Sequence, residues 1–392
     1  MLTLFLVIIY LAFISLGLPD SLLGSAWPVM QNDLSVSMSS AGIISVIISG
    51  GTIISSLLSS KLINRFGTGK ITFVSVAMTA VALLGFSASS SFIWLCLMSI
   101  PLGLGAGSID TALNNFVALH YKAKHMSWLH CFWGVGATLG PVIMSSFIAK
   151  NNGWRQGYFT ISVIQFCLVF VLFITLPFWK KLEKNDNEVV EEEQDAQKTS
   201  SLKIPGVKLV LVSFAFYCAI ESTTGLWGSS YLVNYKGLTA SEAAGWISLF
   251  YGGITVGRLL TGFLTMKFNN NTLIRLGQVI CIMGAICLLL PLPIYFSMIG
   301  LILIGLGCAP IFPCMIHETP ERFGKTASQS IMGLQMAFAY MGNTFMPPIL
   351  GFIASKTSII IFPYFLICYM IIMFISSEKI NIFIRKKQQI KV

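Results

Sequence analysis

The sequence predicts an all-α membrane protein of about twelve helices in two pseudo-symmetric six-helix halves, and three observations predict it. Of 392 residues 55% are hydrophobic and only 10% charged, against roughly a quarter charged in soluble domains. Uncharged runs longer than the about 20 residues that cross the hydrocarbon core recur along the chain, as at Ile71–Met98 and Leu276–Gly307. The two halves also echo one another at an offset of roughly 200 positions, as in transporters built from parallel repeats.

The spans follow in order, each an apolar run closed by polar or charged residues. Span 1 (2–30) has no positively charged segment before it. It therefore reads as a span rather than a signal peptide, despite Gly24-Ser25-Ala26. Span 2 (38–62) closes at Lys61, span 3 (71–90) opens after Lys70, and span 4 (92–120) stops short of Lys122. Span 5 (127–149) lies between Lys124 and Lys150, and span 6 (156–179) between Arg155 and Lys180. Span 7 (206–235) ends at Lys236, span 8 (240–265) before Lys267, and spans 9 (273–295) and 10 (297–317) meet near Pro291 and Pro293. Span 11 (328–354) falls between Lys325 and Lys356, and span 12 (357–377) ends at Glu378.

The plan is a first bundle at 1–179, a charged linker at 180–204, a second bundle at 205–378 and a basic tail at 379–392. The linker holds Glu183, Asp186, Glu188, Glu191, Glu192, Glu193 and Asp195, seven of the fifteen acids, and reads as a solvated, cytoplasmic charge run. Placing both termini inside puts twenty of the twenty-five Lys and Arg on the inner side, the bias expected of cytoplasmic loops. The expected home is a cell membrane crossed many times with both termini cytoplasmic; Ile, Lys and Asn richness points to a bacterium.

The net charge of +10 does not read as nucleic-acid binding, because the basic residues sit in the connections between spans. Nine cysteines without a CxxC pair indicate neither disulfides nor zinc, and helix packing is the plainer role. His317, Glu318 and Glu321 form with Arg322 an inner salt-bridge cluster rather than a metal site, since no ligand spacing is recognisable among them. No cofactor or metal is expected.

Outside the linker, five acids fall at span ends or in loops, and Asp20, Asp110 and Glu221 remain inside the membrane. An ionisable group at the bilayer centre costs at least about 2.5 kcal/mol and usually faces a cavity, a hydrogen bond between helices being the plainer alternative. Burial disfavours the charged form of a carboxyl. Such a group, opened alternately to each side, is suited to load and release a proton. Sugars need hydrogen-bonding groups for their hydroxyls and flat rings for their C–H faces. Asn114, His130, Gln335 and Asn343 are candidates for the first role and Trp27, Trp133 and Trp227 for the second, with interfacial anchoring or packing as the alternative for each Trp. Gly136, Gly140 and Pro141 suit close helix approach and bending.

The segment KLINRFGTGK (61–70) resembles the signature loop of the major facilitator superfamily, with a partial echo around Arg258, Gly262 and Lys267. Arg65, Gly67 and Lys70 fit that signature, whereas Asn64 stands where it usually has Asp. Longer stretches are similar to the fucose-galactose-glucose:proton symporter branch: GLGAGSIDTALNNFV (103–117), AIESTTGLWGSSYLV (219–233), FYGGITVGRLLTGFL (250–264) and LIGLGCAPIFPCM (303–315). The resemblance implies a major facilitator fold and proton-coupled import of a hexose or deoxyhexose by a monomer. It places the family's membrane acids on Asp20 and Asp110, its polar span 5 position on His130, and a cytoplasmic gating loop on Arg65, Gly67, Lys70 and Arg258.

The expected partners are therefore a small sugar, a proton and the lipid bilayer. The rival reading is a facilitator-fold exporter of drugs or metabolites, favoured by the Gly136-x-x-x-Gly140-Pro141 run. A membrane sensor lacks an output domain beyond the linker, and an enzyme would need a convergent nucleophile, base and stabiliser that the sequence does not display.

Overall fold

The computed structural model describes residues 2–120, 123–150, 153–183 and 204–389. Most of the expected linker, Lys122 and the last three residues lie outside them. The chain forms α1 (Leu2–Asp20), α2 (Leu22–Asp33), α3 (Ser40–Phe66), α4 (Thr68–Ser87), α5 (Phe92–His120), α6 (Ala123–Ala149) and α7 (Trp154–Glu183). Beyond the linker come α8 (Val207–Asn234), α9 (Ala240–Leu264), α10 (Asn270–Leu289), α11 (Tyr295–Phe323), α12 (Lys325–Lys356), a 3-10 turn (Ile359–Ile361) and α13 (Phe362–Gln389).

Eleven candidate spans are long and apolar enough to cross a membrane, with α1 and α2 counted together as Phe5–Asp33. The 32-residue α12, more polar, supplies the twelfth. Large apolar side chains such as Leu57, Ile93, Phe170 and Met266 point outward, where hydrocarbon is their natural solvent.

The expected single first span is broken at Ser21. Pro19 has no N–H to give the Ser15 carbonyl, and Gln165 Nε2 of α7 donates to that oxygen instead at 2.7 Å. The break leaves Asp20 at a joint, halfway across the span. Three helices also outrun their apolar runs. α7 extends to Glu183, α11 to Phe323 and α13 to Gln389, so most of the expected tail continues the last helix.

Charged and polar groups are carried on these helix ends because they satisfy one another. Arg322 Nε donates to Glu318 Oε2 at 3.1 Å with both side chains buried, and the guanidinium also donates to Asn271 and Asn381. The expected salt-bridge cluster thereby ties α10, α11 and α13 together, joined by the Arg275–Glu378 pair at 2.7 Å. His317 lies apart from the ion pair, bonded to Asn270 at 3.0 Å.

In the first half α6 packs on α1, and α5 on α3 and α4; in the second, α8 packs on α12 and α13, and α11 on α9 and α10. Glycine makes the α1–α6 approach possible: a methyl on Gly136 would lie 2.1 Å from the Ile14 carbonyl oxygen, and one on Gly140 2.6 Å from that of Leu18. The close packing expected of that run is present. Across the halves α2 meets α8, α6 meets α9 and α3 meets α12.

Gly67 turns α3 into α4 at φ 85° and ψ 156°, and Gly324 turns α11 into α12 at φ 86° and ψ 156°. Both sit in a region that side chains avoid, which explains glycine at each.

Candidate functional site

The site begins at the α1–α2 joint. Asp20 is exposed although it lies in the middle of its span. Its Oδ2 accepts a hydrogen bond from Trp133 Nε1 of α6 at 2.8 Å. The half-buried indole meets the second half twice. The Arg258 guanidinium of α9 lies over its ring at 5.1 Å, and Tyr251, two turns earlier on α9, meets it edge-on at 6.5 Å. Arg258 in turn pairs with Glu221 of α8 at 3.6 Å, with both side chains largely buried. The Tyr217 hydroxyl, one turn back on α8, donates to Glu221. Asp20, Trp133, Arg258 and Glu221 thus form a continuous polar chain from one half to the other.

Arg258, expected at the cytoplasmic gating loop, is placed inside this cluster instead. α9 runs on to Leu264, so the residue lies inside the helix, as the expected span 240–265 has it, and apart from the connection that the loop resemblance implies. Arg65 and Lys70 are exposed and Gly67 forms the turn at the α3–α4 connection.

Asp110 lies on the α5 side of the cavity. Asn114 Nδ2, one turn on, donates to both its carbonyl and its Oδ1 at 2.9 Å. Tyr340 of α12 feels the Asp110 charge and hydrogen-bonds Ser56 of α3, so Asp110 also sits at a seam between the halves. Asn343 stands one turn beyond Tyr340 and is half-buried. His130 is half-buried on α6, edge-on to Phe13 at 6.0 Å and within electrostatic reach of Arg258.

Three expected substrate contacts are not there. Trp27 and Trp227 are wholly buried, their N–H groups donating to the carbonyls of Met38 at 2.9 Å and Pro347 at 2.7 Å. Neither offers a ring face to a cavity, because each fills a tight contact; a methyl on Gly351 would lie 2.2 Å from the Trp227 ring. Gln335 is also wholly buried, its Oε1 accepting from Thr319 of α11 at 3.0 Å. It joins two helices of the second half. Conversely, Tyr217, Tyr251 and Tyr340 were not singled out by sequence, although Tyr217 precedes Glu221 by four residues, the spacing of facing side chains on a helix.

From the level of Asp20 toward the 34–39 and 235–239 connections, the halves are shut. A methyl on Gly24 of α2 would lie 2.0 Å from the Gly225 carbonyl oxygen of α8, and one on Gly42 of α3 3.1 Å from Pro348 of α12. Ser145 of α6 and Ser241 of α9 hydrogen-bond across the third seam. Asp20 is therefore reached from the opposite end, where the Gly67 turn lies. A cleft of about 580 Å³ beside the Asp33–Arg155 ion pair sits at the shut end, apart from this cluster. Among the described residues no three His, Cys, Asp or Glu side chains are grouped to hold a metal.

Comparison with known proteins gives a concordant result. A family model described as Major Facilitator Superfamily matches residues 9–347. The glucose/mannose transporter GlcP of Bacillus subtilis is 25% identical over 366 residues, covering 90% of this chain and 88% of that protein. Sodium-dependent glucose transporter 1 of Homo sapiens is 22% identical over 396 residues, covering 88% of this chain and 72% of that protein. Among solved structures, a D-xylose-proton symporter superposes with a TM-score of 0.75 at 13% identity, covering 94% of this chain and 96% of that one.

Proposed function

The chain belongs to the Major Facilitator Superfamily, and from that premise we propose that this multi-pass membrane transporter imports a monosaccharide, a hexose or deoxyhexose, together with a proton. The observation that carries the reading is Asp20: a carboxyl at mid-membrane, at a helix joint, open to one side and held by a tryptophan that also lines the cavity. A carboxyl so placed meets water from one side at a time as the two halves rock, which is what a proton carrier requires. The sugar relatives favour a sugar as the companion solute.

The charge balance of the cavity narrows the solute. Asp20 lies within electrostatic reach of Asp110 and Glu221, and the guanidinium of this cluster, Arg258, is already engaged by Glu221. An anionic solute would meet more negative than positive charge, whereas a neutral sugar donates hydroxyls to carboxylates and stacks on Trp133. Asn114, His130 and Asn343 supply further polar contacts around it. The remaining parts of the reading are a monomer with both termini and the linker on the cytoplasmic side, in a bacterial plasma membrane.

The test is the pH outside deenergised cells that overproduce the protein, on adding glucose, galactose, fucose or an N-acetylhexosamine. The expected result is external alkalinisation with one sugar, lost in Asp20→Asn. Uptake of that sugar without alkalinisation would remove the proton from the reading. Silence with every sugar, together with no uptake of labelled sugar, would overturn import and favour the exporter.

A further inference from the structure

The contacts around Trp133 do more than line a cavity. Among the α6–α9 contacts described, Ser145–Ser241 lies toward the shut end, Thr138–Thr255 at 3.4 Å follows, and Trp133–Arg258 lies furthest toward the open end. The indole is shared: its edge is bonded to Asp20 and its face to Arg258. Arg258 is shared in the same way, between the ring and Glu221. Whatever weakens one bond in this series frees a group to move toward its other partner.

We propose that Trp133 and Arg258 are positioning residues that make the states of the Asp20 and Glu221 carboxyls mutually dependent, so that loading one half of the transporter is registered by the other. The inference rests on the proton-coupled reading above. When Asp20 is charged, it holds the indole N–H in a charge-assisted bond, and the ring stays beneath Arg258. When Asp20 takes a proton, that bond loses its charge assistance, Trp133 is released, and Arg258 turns more fully to Glu221. The seam that joins the halves then loosens at the point where a rocking motion needs it to.

The titratable groups facing Arg258 are Tyr217, Cys218 and Glu221 from α8 and His130 and Cys131 from α6; Cys308 of α11 feels the same charge. Arginine suits the position because its planar guanidinium can stack on a ring while pairing with a carboxylate, which a lysine ammonium does less well.

Two single variants cut the series at different bonds. Trp133→Phe keeps a ring face but removes the N–H that holds Asp20. Arg258→Lys keeps a charge beside Glu221 but removes the planar stack. Accumulation of sugar down a proton gradient needs the two halves to be coupled, whereas counterflow of labelled against unlabelled sugar does not need net proton movement. Each variant is expected to lower the ratio of accumulation to counterflow by about tenfold, within the range of coupling between two sites. The double variant should be no worse than either single one, because both cut one series.

A second readout needs no sugar: the rate at which Ser145→Cys and Ser241→Cys are cross-linked by a thiol oxidant, measured against pH. That rate should depart from the rise with pH that thiol ionisation gives any cysteine pair in the otherwise unaltered protein, and follow thiol ionisation alone when Trp133→Phe or Arg258→Lys is added. Equal losses of accumulation and counterflow, additive losses in the double variant, or an unchanged pH profile of cross-linking would each overturn the link. Absence of any sugar transport by the unaltered protein would count against the sugar reading and leave the cross-linking profile to decide the link.

Discussion

Ser145 and Ser241 exchange hydrogen bonds: each hydroxyl donates to the other residue's carbonyl, at 2.8 and 2.9 Å, across the α6–α9 seam. Small side chains let the halves meet there without filling the space between them. Ser145→Trp should prevent that closure. Counterflow is expected to fall to background while the protein is still made and inserted, as judged by its abundance in membranes. Replacing both residues with alanine removes bonds worth about 1 kcal/mol each and no space. Transport should persist at a reduced rate.

Two of the three candidate tryptophans are wholly buried, and the third, Trp133, is half-buried between Asp20 and Arg258. Trp227→Phe removes the indole's hydrogen bond to the Pro347 carbonyl and part of a fully buried ring, which should cost at least about 1 kcal/mol and lower the unfolding temperature in detergent. Half-saturation for the transported sugar should stay as it was, because the ring touches no cavity. Trp133→Phe should instead raise half-saturation. A rise with Trp227→Phe would return that residue to the site.

Protons outside the cell are a co-substrate under the proposed function, so the sign of the pH dependence is fixed. Lower external pH loads Asp20 and should speed sugar uptake, and higher pH should slow it. Asp20→Asn, which can neither gain nor lose the proton, should give a flat profile at a low rate. A slope that survives the substitution would assign the proton to Asp110 or Glu221.

The Glu318–Arg322 network is the best place to look for stability. Glu318 and Arg322 are 7% and 5% exposed in their side chains, and removing one member of a buried pair leaves the other charge uncompensated. Arg322→Ala should cost about 3 to 5 kcal/mol, seen as early unfolding in detergent. Changing both residues to leucine should recover part of that loss.

The fold was legible because the bilayer imposes a length: wherever about 20 apolar residues run together, a helix results. That rule is blind to what interrupts a helix without interrupting its hydrophobicity. Ser21 breaks the first span in the middle of an apolar run, and Glu318 to Phe323 continue α11 past the end of one. The site was legible in its charges, since Asp20, Asp110 and Glu221 stand out against an apolar background. Arg258 stood out as well, but its likeness to the signature loop drew it away from Glu221, a residue on another helix. Trp27 and Trp227 looked no different from Trp133, since composition cannot tell a buried ring from one that faces a cavity. Only the neighbours decide that.

α10 and α11 touch backbone to backbone at two places. Methyl groups on Gly277 and Gly307 would each lie within about 2.5 Å of the other residue's carbonyl oxygen, and those on Gly284 and Gly300 within about 2.7 Å. Each helix carries its two glycines two turns apart, so the pair is fastened like a plank with two nails: it can neither slide nor swivel. α9 is pressed onto the same plank, with a methyl on Gly305 falling 2.1 Å from the Phe250 carbonyl oxygen. Under the proposed coupling, a displacement begun at Arg258 would be carried by α9, α10 and α11 together. The expected compliance then lies at the outer faces of these helices rather than between them.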